Sequence, residues 1–387
     1  MNRRDLLKLS GTAFAGLLFT GITRAGSTVL TEEFESLSNK NDSPLLLNFN
    51  ENSLGISSMA ETAIKKSLKN SFRYPDAEAS NLRKQLADKF NVTPSHISLG
   101  SGSSDIIRAI THFCIFKSLQ ENKKLQIILP DPTFDLIADY AENLGVTISR
   151  IPLDSNFCMD ITAMKKAAEE FNGVSLCYLC NPNNPTATLT SSDSIEKWIA
   201  DANPENTFFL MDEAYAEYVT DLKFQSGIKH ILNLRNNVLV TKTFSKVYAM
   251  AGYRIGYGIA TPETSKKINT FLSIDNLNIS GLVAASASLK DSAFLTRSLS
   301  STNSSRKITE TAMNELGIRF LPSQANFIFY HIPGDLKLYI QRLNSEGIKV
   351  GRIFTPLTQW NRVTLGTPEE MKIFVKTLYE FRKKGWI

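Results

Sequence analysis

Short apolar runs alternate with amphipathic stretches over most of the chain. Four runs have the apolar character of buried parallel strands, at residues 125–129, 174–179, 207–211 and 237–240. The stretches between them, such as residues 195–202, repeat apolar positions every three or four residues, which predicts helices. This alternation predicts an α/β fold with a mostly parallel sheet.

The pattern changes from about Asn276. A Ser-rich helical stretch extends to residue 305, followed by short strands around residues 326–330 and 362–365 and a helix over residues 368–384. The last third therefore predicts a smaller α+β domain. We predict four segments: a signal peptide (1–25), an N-terminal arm (26–60), a large domain (61–275) and a small C-terminal domain (276–387).

The N-terminus has the layout of an export signal. Arg3 and Arg4 lie ahead of Lys8 and an apolar run at residues 9–22, which resembles a twin-arginine signal peptide with cleavage after Ala25. The run is shorter than the roughly 20 residues of a membrane-spanning helix. The sequence thus predicts a periplasmic or otherwise exported protein without stable membrane insertion after processing. A cytoplasmic protein, or one anchored by an uncleaved leader, is the alternative.

Charge and composition narrow the possible partners. The 387 residues carry a net charge of +5, and Arg3, Arg4, Lys8 and Arg24 against Asp5 place +3 of it in the leader. The chain after the leader keeps a net charge of +2. It has no stretch in which basic and aromatic residues alternate, so we expect no nucleic acid partner.

Cysteine and histidine spacing does not indicate a metal site. Cys177 and Cys180 have C-x-x-C spacing, but they lie in a strand whose alternation sends them to opposite faces. The four histidines are scattered without ligand spacing, so no metal is expected.

Polar motifs follow three of the predicted strands. They are Asn181-Pro182-Asn183-Asn184-Pro185-Thr186, Asp212-Glu213-Ala214-Tyr215 and Thr243-Phe244-Ser245-Lys246. Ligands of parallel sheets bind beyond the carboxyl ends of the strands, so these motifs predict one common site.

The residue types in these motifs suit an aldehyde cofactor with a phosphate. Lys246 can form a Schiff base, while hydroxyls and the Arg254 guanidinium can hold a phosphate. Asp212 ends an apolar strand, where a carboxylate is costly unless paired, and the pyridinium nitrogen of pyridoxal phosphate would be its partner. The turn at Gly102 precedes a predicted helix, whose N-terminus can receive the phosphate.

The chain resembles the fold-type-I pyridoxal-phosphate-dependent aminotransferases of class I/II, close to the histidinol-phosphate aminotransferase branch. The resemblance rests on collinear motifs that cover nearly all of the chain after the arm. Besides those above, they are Asn50-Glu51-Asn52, Arg73-Tyr74-Pro75-Asp76, Gly102-Ser103-Ser104-Asp105, Pro132-Thr133-Phe134, Ala251-Gly252-Tyr253-Arg254, Ala325-Asn326-Phe327 and Arg362-Val363-Thr364-Leu365-Gly366-Thr367. It implies a large domain with a mostly parallel sheet of seven-stranded type and a smaller α+β domain.

The resemblance also implies roles. Lys246, Asp212 and Tyr215 are the expected catalytic residues: Lys246 forms the Schiff base with pyridoxal 5'-phosphate and moves the proton, Asp212 pairs with the ring nitrogen, and Tyr215 holds the phenolic oxygen. The other cofactor-binding residues implied are Asn184 at the phenolic oxygen, Phe134 stacked on the ring, Gly102, Ser103, Ser104, Thr243, Ser245 and Arg254 at the phosphate, and Tyr74 from the other subunit of a homodimer. The implied substrate-binding residues are Asn52, Arg352 and Arg362, with Arg362 at the substrate carboxylate.

The implied reaction transfers an amino group between an amino acid, or a similar amine, and a 2-oxo acid. Leu54 stands where histidinol-phosphate enzymes usually have Tyr, Gly351 where they have a second arginine, and Ala187 where they have Gly. These departures argue against histidinol phosphate as the substrate. A decarboxylase of a phospho-amino acid on the same scaffold is the alternative, and an exported binding protein ranks third because Lys246 and Asp212 are both kept.

Overall fold

A computed structural model describes residues 44–387 of the chain. The predicted signal peptide and most of the arm lie outside these residues. Within the described part, no helix combines the length and apolar character that crossing a membrane requires.

The strands and helices of the described part alternate along most of the chain. The strands are β1 (Leu45–Leu47), β2 (Ile97–Gly100), β3 (Lys124–Asp131), β4 (Thr147–Pro152), β5 (Gly173–Cys180), β6 (Thr207–Asp212), β7 (Val238–Thr243), β8 (Gly256–Ile259), β9 (Phe327–His331), β10 (Ile348–Val350) and β11 (Trp360–Thr364). The helices are α1 (Ser58–Ser67), α2 (Asp76–Phe90), α3 (Ser103–Gln120), α4 (Leu136–Glu142), α5 (Ile161–Glu170), α6 (Ser192–Asp201), α7 (Ile228–Leu232), α8 (Pro262–Asn269), α9 (Ile279–Ser288), α10 (Ser292–Glu315), α11 (Leu336–Ser345) and α12 (Pro368–Lys383).

A seven-stranded sheet forms the centre of the larger region, in the order β2-β8-β7-β6-β5-β3-β4. Strands β7, β6, β5, β3 and β4 pair in parallel, and β8 runs antiparallel to both β2 and β7. The predicted mostly parallel sheet is confirmed. The carboxyl ends of β2, β3, β5, β6 and β7 therefore meet at one edge.

Apolar side chains cover both faces of this sheet. Along β5, Cys177 and Leu179 belong to one buried cluster, and Tyr178 and Cys180 belong to the other. The two cysteines are free thiols on opposite faces, as the alternation of strand residues predicts. Buried thiols placed in this way pack as small apolar groups.

Two small sheets lie in the C-terminal region. Strands β9 and β11 pair antiparallel, and β10 pairs in parallel with β1, which comes from the predicted arm. Leu47 of β1 is buried in a cluster with residues of β9 and α12. The sequence pattern missed β10 and α11, which are short.

Helix α9 begins after the predicted domain boundary at residue 275, yet its residues Leu282 and Ala285 are buried with those of the large sheet. The boundaries at residues 60 and 275 remain predictions. Helix α10 follows α9 and connects two apolar clusters. Leu295, near its start, packs on the cluster of the large sheet, and Met313, near its end, is buried in the C-terminal cluster.

Candidate active site

The predicted site residues gather at the carboxyl edge of the large sheet. Asp212 is the last residue of β6 and Thr243 the last of β7, while Gly102 follows β2 and opens α3. Asn184 follows β5 by four residues. Parallel strands with a common edge bring these positions together although they are spread over 140 residues of sequence.

Serine hydroxyls and a guanidinium form a cradle for an anion at the N-terminus of α3. Arg254 donates from Nη2 to Ser104 Oγ at 3.2 Å and from Nη1 to Ser245 Oγ at 3.4 Å. Thr243 Oγ1 lies 2.9 Å from Ser245 Oγ. We call Ser103, Ser104, Thr243, Ser245 and Arg254 the anion cradle. Positive charge, hydroxyl donors and a helix N-terminus together favour a phosphate.

Glycine is required beside this cradle. Gly102 has φ of +79°, and a Cβ at this position would lie 2.2 Å from Arg254 Nη2. A Cβ at Gly256 would lie 2.2 Å from the backbone nitrogen of Ser103. Any side chain at either position would occupy the space of the cradle.

Asp212 is a buried carboxylate, with 3% of its surface exposed. It accepts hydrogen bonds from the Tyr178 hydroxyl at 2.8 Å and from the Ala214 amide at 3.2 Å. Burial raises the pKa of Asp212, and these hydrogen bonds act against that rise. Within residues 44–387 no basic side chain forms an ion pair with it, so the carboxylate is prepared for a cation from outside the chain.

The negative charge of this carboxylate acts on the Lys246 amine. Its Nζ donates to the Phe49 carbonyl oxygen at 3.3 Å and lies 5.6 Å from the centre of the Tyr215 ring. Burial, and next the positive charge of Arg362, lower the pKa of Lys246 to about 8. With this pKa, roughly a tenth of the amine is unprotonated at pH 7 and about half at pH 8, and the unprotonated form is the nucleophile.

Tyr215 is buried beside Lys246, and its ring packs edge-on against Phe327 with centroids 5.1 Å apart. Asn50 Nδ2 donates to the Tyr215 hydroxyl at 3.0 Å. Because this bond uses a lone pair of the hydroxyl, the phenolic proton stays available for an acceptor in the site.

Arg362 comes from β11, in the C-terminal region. Its Nη1 donates to Asn184 Oδ1 and its Nη2 to the Asn48 carbonyl oxygen, both at 2.6 Å. Its Nε is buried without a hydrogen bond partner. Burial, opposed by Tyr215 and aided by the positive charge of Arg352, lowers the pKa of Arg362 to about 10. A buried guanidinium with an unpaired donor and no carboxylate partner within the described residues suits a substrate carboxylate.

Arg352 and Phe134 lie at the margin of the site. Arg352 is exposed and its guanidinium carbon lies 4.8 Å from the centre of the Phe354 ring, while that of Arg362 lies 5.1 Å from the same ring. Phe134 follows β3 and is 39% exposed. Both side chains are free to contact a ligand.

Two predicted site residues are not assembled with the others. Asn52 donates from Nδ2 to the Val247 carbonyl at 3.0 Å and to Ser298 Oγ at 2.6 Å, so its amide links the segment that follows Lys246 to helix α10. Tyr74 is 75% exposed and lacks a hydrogen bond, ion pair or ring contact within residues 44–387. Their roles at the substrate and at the cofactor phosphate stay predictions.

Sequence analysis missed the roles of Tyr178 and Asn50. Tyr178 lies inside an apolar run and gives no sign of a polar contact. Asn50 opens the motif Asn50-Glu51-Asn52, and its φ of +56° is a left-handed conformation that asparagine tolerates. The polar pair Asn50-Glu51 after the apolar residues 45–49 could have indicated a turn, but not the contact of Asn50 with Tyr215.

A lysine nucleophile, a buried carboxylate, an anion cradle and a buried arginine at the edge of an α/β sheet define an enzyme site of the aminotransferase type. The sequence matches the family of class I and II aminotransferases over residues 43–378. The chain belongs to this family and is a transaminase.

Similar proteins carry the name of one branch of the family. The chain is 32% identical over 333 residues to a histidinol-phosphate aminotransferase of Moorella thermoacetica, covering 86% of this chain and 83% of that protein. A crystal structure of a candidate histidinol-phosphate aminotransferase from Erwinia carotovora atroseptica has 38% identity and a TM-score of 0.85, covering 89% of this chain and 97% of that one. The histidinol-phosphate aminotransferase of Sinorhizobium meliloti in complex with pyridoxal-5'-phosphate shares the fold, at 22% identity and a TM-score of 0.82, covering 95% and 96%.

Proposed function

We propose that this chain transfers an amino group between an amino acid and a 2-oxo acid, with pyridoxal 5'-phosphate bound at the candidate site. The observation that carries the proposal is the Lys246 amine with its lowered pKa of about 8, placed beside the Tyr215 ring and within the field of the Asp212 carboxylate. A lysine in such surroundings is suited to covalent chemistry with an aldehyde.

The residues fit the cofactor at three separate points. The anion cradle suits the phosphate, Asp212 suits a protonated ring nitrogen, and Tyr215 with its available proton suits the phenolic oxygen. Asn184 lies on the same side, bonded to Arg362. When bound, the cofactor supplies an aldehyde for the amine and a ring that withdraws electrons from the substrate α-carbon.

The chain supplies binding and proton transfer. Arg362 binds the substrate carboxylate through its planar fork and so fixes which bond of the α-carbon faces Lys246. Lys246 then removes the α-proton, for which an amine with a pKa near the working pH is suited. The reverse transfer to a 2-oxo acid uses the same groups.

Replacement of Lys246 by Ala tests this function. We expect the visible absorption band of the bound cofactor and keto-acid formation to be lost, while the exposed Lys267→Ala variant keeps both. Retained turnover in Lys246→Ala would contradict the proposal. Release of carbon dioxide by the wild-type protein in place of keto acid would favour the decarboxylase alternative.

We propose that preferred substrates carry a second anionic group. Arg352 is exposed, shares the Phe354 ring with Arg362 and lowers the pKa of Arg362, so positive charge accumulates on this side. A Cβ at Gly351 would lie 2.7 Å from the Arg362 carbonyl oxygen, so an arginine at position 351 would require the backbone to shift. Arg352→Ala is expected to raise the KM for glutamate several-fold more than the KM for alanine, with histidinol phosphate measured beside them. An equal change for both amino acids would argue against this role.

We propose a homodimer in which Tyr74 completes the site of the partner subunit. Phe72 and Tyr74 are 73% and 75% exposed, and Ile274 is 90% exposed, which is unusual for large apolar side chains. Mixing Lys246→Ala chains with Tyr74→Phe chains should restore activity above that of either variant. If each site is complete within one chain, the mixture will only average the two.

We also propose export through a twin-arginine signal, supported by Arg3, Arg4 and the apolar run that follows. The wild-type protein should appear in the periplasmic fraction, and a variant with both arginines replaced by Lys should remain in the cytoplasm. Retention of Met1 in a wholly cytoplasmic wild-type protein would contradict this proposal.

A further inference from the structure

Strands β5 and β6 bring a buried tyrosine against the Asp212 carboxylate. The parallel register pairs Tyr178 with Leu210 and Cys180 with Asp212, so Tyr178 lies on the same face as Asp212 and two residues back along the neighbouring strand. A tyrosine is long enough to cover this diagonal. Its hydroxyl donates to Asp212 Oδ2 at 2.8 Å.

The hydroxyl and the carboxylate share apolar surroundings. Tyr178 is 0% exposed, and Leu176 and Leu210 are fully buried in the same cluster. Burial raises the pKa of Asp212, and the hydrogen bond from Tyr178 is the largest of the contacts that lower it. The other titratable groups that act on this carboxylate or are acted on by it are Glu213, Cys180, Tyr215 and Lys246.

A hydroxyl buried in an apolar core costs free energy unless it forms a hydrogen bond, and the bond to Asp212 meets that requirement for Tyr178. The Ala214 amide occupies Oδ1 of Asp212 at 3.2 Å, and Tyr178 occupies Oδ2. With one donor on each oxygen, the carboxylate cannot rotate freely, and the lone pairs left over point in fixed directions.

We propose that Tyr178 is a positioning residue: its hydroxyl holds the Asp212 carboxylate ionised and oriented for the ring nitrogen of the bound cofactor. The inference rests on the proposed function, since it assigns to Tyr178 a role in binding pyridoxal phosphate. Tyr178 acts through Asp212 and touches neither substrate nor reacting atoms.

The test replaces Tyr178 by Phe, which keeps the ring and removes the hydroxyl. Tyr257→Phe is the matched control, because Tyr257 is equally buried, lies in β8 of the same sheet and belongs to the cluster on the opposite face. Apoprotein is titrated with pyridoxal phosphate to obtain Kd, and the visible band of the loaded, full-length protein is followed against pH. Thermal unfolding is recorded for each variant.

We expect Tyr178→Phe to raise the Kd for pyridoxal phosphate about tenfold and to shift the titration of the visible band to higher pH. The reason is that a ring nitrogen with a weaker counter-ion carries less positive charge, which leaves the Lys246 nitrogen joined to the cofactor more basic. Tyr257→Phe should change neither quantity. In an Asp212→Asn background, the added Tyr178→Phe change should have little effect on Kd, since the tyrosine acts through the carboxylate.

Two results would overturn the inference. If wild-type and Tyr178→Phe proteins have equal Kd values and equal titrations, Tyr178 only fills space, and the proposed function still stands. An equal loss of affinity with or without Asp212 would also assign Tyr178 to packing alone. A wild-type protein that forms no visible band would instead refute the proposed function itself, and the inference with it.

Discussion

The cofactor side and the substrate side of the site are built differently. On the cofactor side, Arg254 donates to both Ser104 and Ser245, and all three lie near the ends of strands in one sheet. On the substrate side, Arg362 from the C-terminal region bonds to Asn184 of the large region and to the Asn48 carbonyl ahead of α1. One side is an arrangement within a single sheet, and the other exists only where separate parts of the chain pack together.

The largest effect is expected on the cofactor side. Arg254→Gln removes the positive charge that joins the two serines, and hydrogen bonds to charged groups contribute about 1.5–3 kcal/mol each. We expect the Kd for pyridoxal phosphate to rise about a hundredfold, which corresponds to about 2.7 kcal/mol. The KM for the amino donor, measured at saturating cofactor, should stay close to the wild-type value.

Arg254→Lys is the control for this prediction. It keeps the charge but loses the planar fork, so an intermediate Kd is expected. If Arg254→Gln instead raised the donor KM and left cofactor affinity intact, the division into two sides would be wrong.

On the substrate side we expect a smaller effect, and we expect it on the KM for the amino donor instead of the Kd for the cofactor. Arg362→Leu should raise the donor KM about thirtyfold, or about 2 kcal/mol, because the carboxylate loses a bidentate partner. The Kd for pyridoxal phosphate should change little at a pH well above 8, where Lys246 is already unprotonated. Steady-state kinetics and apoprotein titration separate the two quantities.

The same variant connects the two sides through charge. Arg362 is the second cause, after burial, of the lowered pKa of Lys246. A positive neighbour disfavours the protonated amine, so removal of Arg362 raises that pKa, and cofactor loading should need a higher pH than the value of about 8 in the wild type. Arg362→Lys keeps the charge, and it should leave the loading profile nearly unchanged while still weakening donor binding. Equal profiles for wild type and Arg362→Leu would show that burial alone sets the pKa.

The difference between the two sides also explains which site residues could be predicted from the sequence. The apolar runs gave the parallel strands, and residues directly after them, such as Asp212 and Lys246, lie at the site because strand ends meet at one edge. Arg254 was suggested by its chemistry and its short distance in sequence from Lys246, whereas Arg362 was identified only by resemblance to a family, since its contacts depend on a second sheet. The substrate role of Asn52 stays a prediction; its amide donates to the Val247 carbonyl and to Ser298 of α10, contacts that its motif did not indicate.

Contacts between distant segments could not be read from local patterns. Tyr178 looks like any apolar strand residue, and only the register of β5 against β6 places its hydroxyl on Asp212. Strand β1 lies within the predicted N-terminal arm and was not predicted as a strand, but it pairs with β10, about 300 residues further along the chain. Local propensity says little about such partners, because packing of the whole chain selects them.

The smallest effect is expected where the two sides meet, at Asn50. Its side chain donates to the Tyr215 hydroxyl at 3.0 Å, its backbone amide donates to Thr364 Oγ1 at 2.9 Å, and its carbonyl accepts from Asn326. Asn50→Gly removes the bond to Tyr215 and the longer bond that Asn50 Oδ1 accepts from Thr364 Oγ1 at 3.4 Å. The backbone bonds stay, since glycine adopts the φ of +56° without strain. A neutral hydrogen bond contributes about 1 kcal/mol, so we expect kcat to fall about fivefold, with both the Kd for cofactor and the donor KM changed less.

Tyr215→Phe provides the control for Asn50. With the phenolic hydroxyl absent, Asn50→Gly should lower kcat no further, because the bond it removes no longer exists. If Asn50→Gly lowers kcat equally in both backgrounds, Asn50 acts by holding β11 through the bond that its side-chain oxygen accepts from Thr364 Oγ1. The contact between the two sides would then only stabilise their packing, and the bond from Asn50 would not orient the Tyr215 hydroxyl.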